Sequence, residues 1–375
     1  MLVDLTPKNK DIVETGPLLQ QTAFWGKVKE MQGCMAAAFD VRICAEGGTA
    51  SEIAVGGQAT DILVILRSAG PNKLVAHVPY GPRFEPPEEL QGCFLEELSE
   101  GLRTCLPADC FFIRYDLPWQ SPWADDPDCY NSCSEWQGPP REQIQEIRMN
   151  METSAKNLRK APTNILPTNT LFMDLREGKK DILGRMRAKT RYNIGLSRRK
   201  GVRVVEAGRR ELDLWYKLYR ETALRNNIVV HDKRYFQAML EARRSLSNHK
   251  ISLHLLLAEA EGDCLAGMFL AISADQAVYL YGASAAENRK KMGPYALQWE
   301  AIRLAKEKGC RYYDMFGVAP SAEPAHPMYG LYRFKTGFGG EIYHRQGCWD
   351  YPLDPQKYAS YRAFELNDAG FHLKQ

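Results

Sequence analysis

The sequence predicts an α/β protein built from two copies of one strand–loop–helix–strand unit. Three observations carry this. The 375 residues suit about two domains of roughly 150 residues each. The composition, 45% hydrophobic and 25% charged, is that of a chain with a packed core. The same order of patterns then occurs twice, each time with a Gly-Pro between strand and helix.

In the first copy, Lys73–Pro79 reads as a strand and Tyr80-Gly81-Pro82 as a turn. A helical pattern covers Glu88–Cys105, and Cys110–Asp116 is a buried strand. Leu117–Arg141 reads as a long loop rich in Pro, Trp and acids, and Glu142–Arg159 as a polar helix. In the second copy, Ile251–Ala258 and Cys264–Ser273 are strands joined by a hairpin turn at Glu261-Gly262-Asp263. Ala277–Gly282 is the next strand. Gly293-Pro294 opens a helix with Leu297, Ala301, Leu304 and Ala305 on one face, and Gly309 stops it. Arg311–Phe316 is the closing strand. Antiparallel strands followed by a crossover helix resemble the acyltransferase fold called GNAT, here doubled.

No apolar stretch reaches the ~18 residues of a membrane span. Met1–Asp11 is polar and lacks the pattern of a secretion signal, so a cytoplasmic location is expected. The ten cysteines show no metal or redox spacing; Cys129 and Cys133 are the nearest pair. They are expected to be reduced, with no metal. The net charge of +3 hides an asymmetry. Lys179–Arg210 holds twelve basic and two acidic residues, a net of +10, which leaves −7 for the rest. Asp181 is placed to cap a helix starting near Ile182, and Gly201 to end it. Such a strip suits a polyanion, although a solvated helix has the same pattern.

Three stretches could bear on chemistry. In Gly330–Glu341, aromatic and basic residues alternate before three glycines, which makes Lys335 either a positioned cation or a surface lysine. In Phe24–Lys29, Trp25 and Val28 suit a core, and Lys27 and Lys29 the surface. Arg289–Tyr295 half matches the pyrophosphate loop of GNAT acetyltransferases. Lys290 and Gly293 fit, but Pro294 has no amide hydrogen to donate, which argues against coenzyme A.

In this order, several motifs resemble the Fem family (FemABX) of tRNA-dependent peptidoglycan bridge aminoacyltransferases. They are Gln21–Lys29, Tyr80-Gly81-Pro82, Phe112–Asp116, Lys189–Ile194 with Lys200-Gly201-Val202, Tyr279–Ser284 and Leu331–Glu341. The resemblance covers nearly the whole chain. It is to the armless, FemX-like members, since Leu212–Leu253 leaves no room for a helical arm. It implies two tandem GNAT-like domains, residues 1–162 with 346–375 for the precursor and 163–345 for aminoacyl-tRNA. Lys29 matches a lysine on the precursor diphosphate, and Tyr235 and Tyr281 match tyrosines lining the precursor site. His231 stands where the family has a precursor-binding arginine, with Arg234 and Arg225 near. Phe111 stands where the family has a precursor-contacting tyrosine. Lys335 matches a lysine near the aminoacyl ester. The basic strip, Arg185, Arg187, Lys189, Arg191, Arg198, Arg199 and Lys200, becomes the tRNA contact.

The implied reaction moves an amino acid from aminoacyl-tRNA to the stem-peptide amine of a nucleotide-linked or lipid-linked muropeptide precursor. It needs no cofactor. A lipid-linked acceptor would bring a peripheral membrane contact. No protein base is evident, and the resemblance implies help from a substrate phosphate. Two other readings remain: a small-molecule N-acyltransferase on a doubled GNAT fold, and a non-catalytic RNA-binding module.

Overall fold

The computed structural model describes residues 2–44, 58–226, 230–246 and 251–367. The last part of the expected first domain, 368–375, lies outside the described residues, as do parts of the 212–253 interval. The chain forms two compact units. One takes residues up to Glu14, Gln20–Thr168 and the chain from His344; the other takes Thr15–Leu19 and Asn169–Tyr343.

The first unit contains β1 (Leu2–Lys8), α1 (Ala23–Glu30), β2 (Met35–Cys44), β3 (Gln58–Ser68), β4 (Leu74–Val78), α2 (Gln91–Cys105), β5 (Cys110–Gln120), α3 (Glu142–Met149) and β6 (Arg159–Lys160). The second contains β7 (Asn169–Asp174), α4 (Lys179–Arg185), α5 (Ala188–Arg199), β8 (Arg203–Ala207), α6 (Leu212–Asn226), α7 (Lys233–Ser245), β9 (Ile251–Ala260), β10 (Asp263–Ser273), β11 (Gln276–Ser284), α8 (Gly293–Glu307), β12 (Tyr312–Gly317) and α9 (Tyr329–Thr336). β13 (Glu341–Pro352) then runs on into the first unit, which α10 (Pro355–Asn367) completes.

The two sheets have the same plan. The first runs β1-β2-β3-β4-β5-β13, and the second β8-β9-β10-β11-β12-β7. The strand path is continuous through β13. Among the described ladders, only β4 with β5 and β11 with β12 are parallel. Each parallel pair is joined by a crossover helix, α2 or α8, as such a pair requires. This is the doubled α/β unit read from the sequence.

Local chemistry explains the elements. Thr22 caps α1 by accepting from the Trp25 amide, and Phe24, Trp25 and Val28 are buried. β5 is buried from Cys110 to Trp119, on both faces. It runs on to Gln120, past the Asp116 end expected from sequence. Phe94, Leu95, Leu98 and Leu102 of α2 pack on this sheet with Trp119 and Trp349. In the second unit, Glu261 (φ 55°) and Gly262 (φ 86°) form the β9–β10 turn. Leu297, Ala301 and Ala305 of α8 join Met268, Leu270 and Tyr313 in the core. Gly309, at φ 83°, ends that helix.

Two expectations are corrected. The helix from Glu142 stops at Met149, because the Asn150 side chain donates to the carbonyls of Glu146 and Leu158 and closes a loop. The basic helix is two helices. Gly178 is the N-cap of α4, and Met186 and Arg187 are extended before α5 begins. The break is set by a distant partner, since the Arg187 amide donates to the Gly337 carbonyl.

Candidate functional site

The site is built where β11 and β12 part. Three residue pairs are in register, the last being Val278 with Asp314. Past them β11 stays with β10, while β12 shifts register and pairs with β7 at Gly317. At the fork the Met315 and Gly317 carbonyls both accept a hydrogen bond from Lys335 Nζ at 2.6 Å. The same amine lies 5.3 Å from the centre of the Tyr279 ring, on the other arm of the fork.

Lys335 is therefore buried, at 4% exposure, and the surface-lysine reading is wrong. Burial lowers its pKa to about 7, while the nearby Asp314 carboxylate acts to raise it. An ammonium has three donors and two are held, so one N–H is left for another acceptor. The glycines after Lys335 serve the chain's own packing. A Cβ at Gly340 would lie 2.4 Å from the Phe172 carbonyl, and at Gly339 3.0 Å from that of Arg185. Gly282 has a role that sequence did not suggest, since a Cβ there would strike the Tyr279 hydroxyl, 1.6 Å away.

In the first unit the equivalent fork is closed. The Gly81 amide donates to the Asp116 carbonyl just past the last β4–β5 pair. The Gln21 side chain ties Leu63 to Pro79 through three hydrogen bonds. A Cβ at Gly81 would lie 2.7 Å from that amide group.

His231, Tyr235 and Tyr281 come together in the second unit. His231 stacks on Tyr235 with centroids 4.2 Å apart, and the two tyrosine hydroxyls are 2.8 Å apart. Arg225 donates to the Ser284 carbonyl and hydroxyl at the end of β11, and Arg234 is exposed. Lys29 lies in the first unit. Its amine sits 5.2 Å from the Trp25 ring centre and donates to Gln32, and burial lowers its pKa to about 8. Phe111 is wholly buried against Tyr361, so it presents no edge to a ligand.

The seven basic residues of the strip are all exposed. Three are engaged by their own chain. Arg191 donates to the Leu183, Gly184 and Met186 carbonyls at the end of α4, Arg185 pairs with Glu177 at 3.1 Å, and the Arg199 guanidinium lies 5.6 Å from the Tyr192 ring centre. Arg187, Lys189, Arg198, Arg199 and Lys200 have no carboxylate within ion-pair distance among the described residues. Lys200 also lines a surface hollow with Arg289, Lys290 and Lys291, a grouping the sequence did not suggest. At the start of α8, the Met292 carbonyl takes the amides of Tyr295 and Ala296, and Pro294 has none. Little is left there to cradle a pyrophosphate.

The nine cysteines whose side chains are described are all unpaired, and no cluster of three His, Cys, Asp or Glu able to hold a metal occurs among the described residues. No described helix is long and apolar enough to cross a membrane.

The FemAB family profile matches residues 142–259 and 244–365, more than half of the sequence. The chain belongs to the FemAB family. Relatives include the lipid II:glycine glycyltransferase of Staphylococcus haemolyticus, 28% identical over 31% of this chain and 28% of that protein. The enzyme of the same name from Staphylococcus epidermidis is 32% identical over 27% of this chain and 24% of that protein. These alignments thus span about a quarter of the relatives' length. The crystal structure of FemX superposes over 96% of this chain and all of that one, with a TM-score of 0.72 at 15% identity. That likeness shows that the chain has the FemX fold.

Proposed function

We propose that this FemAB protein transfers an amino acid from aminoacyl-tRNA to the side-chain amine of the third stem-peptide residue of a peptidoglycan precursor. The observation that carries the reading is the Lys335 amine, held in the open fork of the second unit by two carbonyls with one donor to spare. The relatives' names support a lipid-linked acceptor and make glycine the first amino acid to test.

The reaction is aminolysis of an ester. The acceptor nitrogen attacks the aminoacyl carbonyl, and an oxyanion develops that the Lys335 N–H stabilises. The C–N bond forms and the ester C–O bond breaks. The proton released by the amine ends on the departing ribose oxygen, relayed by a substrate phosphate. The protein's work is positioning and charge stabilisation. Arg187, Lys189, Arg198, Arg199 and Lys200 hold the tRNA backbone, with Arg185 and Arg191 beside them. Lys29 offers a compact charge to the precursor diphosphate, and His231, Tyr235 and Tyr281 supply an aromatic wall with hydroxyls. With a lipid-linked acceptor, the chain works as a peripheral protein on the cytoplasmic membrane face.

The test mixes purified protein with charged total tRNA and either nucleotide-linked or lipid-linked precursor, and reads product masses. The expected product is the precursor plus one or more aminoacyl residues. Lys335→Ala should lower kcat about a hundredfold, on the order of 3 kcal/mol. Lys335→Arg should rescue poorly, because its charge is spread over a planar fork. Turnover of acyl-coenzyme A with a small amine, and none from aminoacyl-tRNA, would favour the small-molecule acyltransferase instead. RNA binding without any turnover would favour the binding module.

A further inference from the structure

Asp314 stands twenty-one positions before Lys335 in sequence, yet its carboxylate is close enough in the fold to act on the Lys335 amine. It is the last β12 residue in register with β11, and it is 2% exposed. Its Oδ1 accepts the Phe316 amide at 2.7 Å. That bond closes a turn in which Phe316 sits at φ 62°, a region a bulky side chain rarely enters. The turn puts the carbonyls on either side of Phe316, those of Met315 and Gly317, on one amine.

The charged and titratable groups around that amine are few. β11 presents Tyr279, whose phenol burial pushes up to about 12 and which is therefore neutral. β12 presents Asp314 and also Tyr313, whose phenol burial raises well above its ordinary value. α8 meets α9 through Tyr295 against Phe334, and Arg333 of α9 lies over the Tyr329 ring. Asp314 is the nearby group whose charge favours the ammonium form of Lys335.

We propose that Asp314 is a positioning residue for the Lys335 amine: its carboxylate locks the Phe316 turn that aims two carbonyls at the amine, and it supplies the counter-charge beside it. The proposal rests on the aminoacyl-transfer reading for its kinetic consequence, but not for its electrostatic one.

Asp314→Asn separates the two roles, because its side-chain oxygen can still accept the Phe316 amide while the charge is gone. At pH 7.5, kcat should fall about tenfold, and KM for both substrates should stay within about twofold. The fall in rate toward high pH should begin at a lower pH than in wild type. Asp314→Glu keeps a charge but cannot close the same turn; kcat should drop with the pH profile little moved. Independently of activity, NMR of protein carrying 13C at lysine Cε, with Lys335→Met for assignment, should show the Lys335 midpoint lowered in Asp314→Asn. If the wild type transfers no aminoacyl group yet this midpoint shift is seen, the transfer reading fails and the Asp314 coupling stands. If transfer proceeds and both variants match wild type in rate and pH profile, or if the midpoint does not move, the proposal is overturned. Should Asp314→Asn not fold, a wild-type kcat in Asp314→Glu overturns it equally.

Discussion

Lys160, in the first unit, repeats the geometry of Lys335 without its setting. Its amine donates to the Gln346 and Cys348 carbonyls at 2.6 and 3.1 Å, on either side of Gly347 at φ 73°. A buried lysine is thus one way this fold closes a strand irregularity, and the carbonyl clasp alone is no mark of catalysis. What distinguishes Lys335 is the strained Phe316 in place of a glycine and the open fork; carboxylates favour the ammonium form at both amines, Asp314 at Lys335 and Asp116 with Asp350 at Lys160. Burial lowers the Lys160 pKa to about 8 from its ordinary 10.5. The folded protein therefore sheds this proton before the unfolded chain does. Between about pH 8 and 10.5, stability rises with pH by up to about 1.4 kcal/mol per unit from this group. Lys160→Met should flatten that rise and destabilise by about 2 kcal/mol through the two stranded carbonyls, read by urea melts at pH 7 and 9.5, with kcat nearly unchanged. Lys335 was legible in sequence because it sits in a recognisable motif. Asp314 was not, because an acid inside an apolar strand carries no spacing that tells a turn-closing role from a surface one.

At the level of elements, the basic strip is the most direct test. Arg198, Arg199 and Lys200 end α5 and leave its last turn exposed. Replacing all three with Ala should weaken tRNA binding and reduce the slope of log affinity against log salt by about 2 to 3 units, since each neutralised phosphate releases a counterion. Filter binding over a salt series checks it, and an unchanged slope would leave the strip a solvated helix. The strand–helix–strand repeats, the α8 stop and the β9–β10 turn could be read from sequence because local periodicity and turn chemistry decide them. The α4–α5 break could not, because it depends on a bond between Arg187 and Gly337. The Trp- and Pro-rich segment gave a similar difficulty. It is not loose: Trp136 stacks on His344 of β13 at 4.3 Å, a partner more than two hundred positions away.

Across the whole molecule, the first unit depends on residues from the end of the chain. Arg114 at the centre of β5 is buried, and Asp350 of β13 holds it through two 2.7 Å contacts. Glu365 of α10 holds it through two more, at 2.7 and 2.8 Å. Asp350→Ala would leave a buried guanidinium short of a partner and should cost about 3–5 kcal/mol, whereas replacing an exposed acid such as Glu287 should cost little. Urea unfolding followed by hydrogen exchange should place the loss in the first unit. The doubled unit itself was legible because it repeats in one dimension. The return of β13 was expected only through the family resemblance; nothing in the composition of 344–352 ties it to a strand more than two hundred positions earlier.

That return has a consequence for the order in which a ribosome delivers the chain. Nearly all of the second unit lies between Asn169 and Tyr343, so it can close as soon as that stretch has emerged. The first unit emerges earlier but has to wait with β5 exposed along the edge that β13 will cover, and with Arg114 lacking its partners. The half that is made first is the half that finishes last.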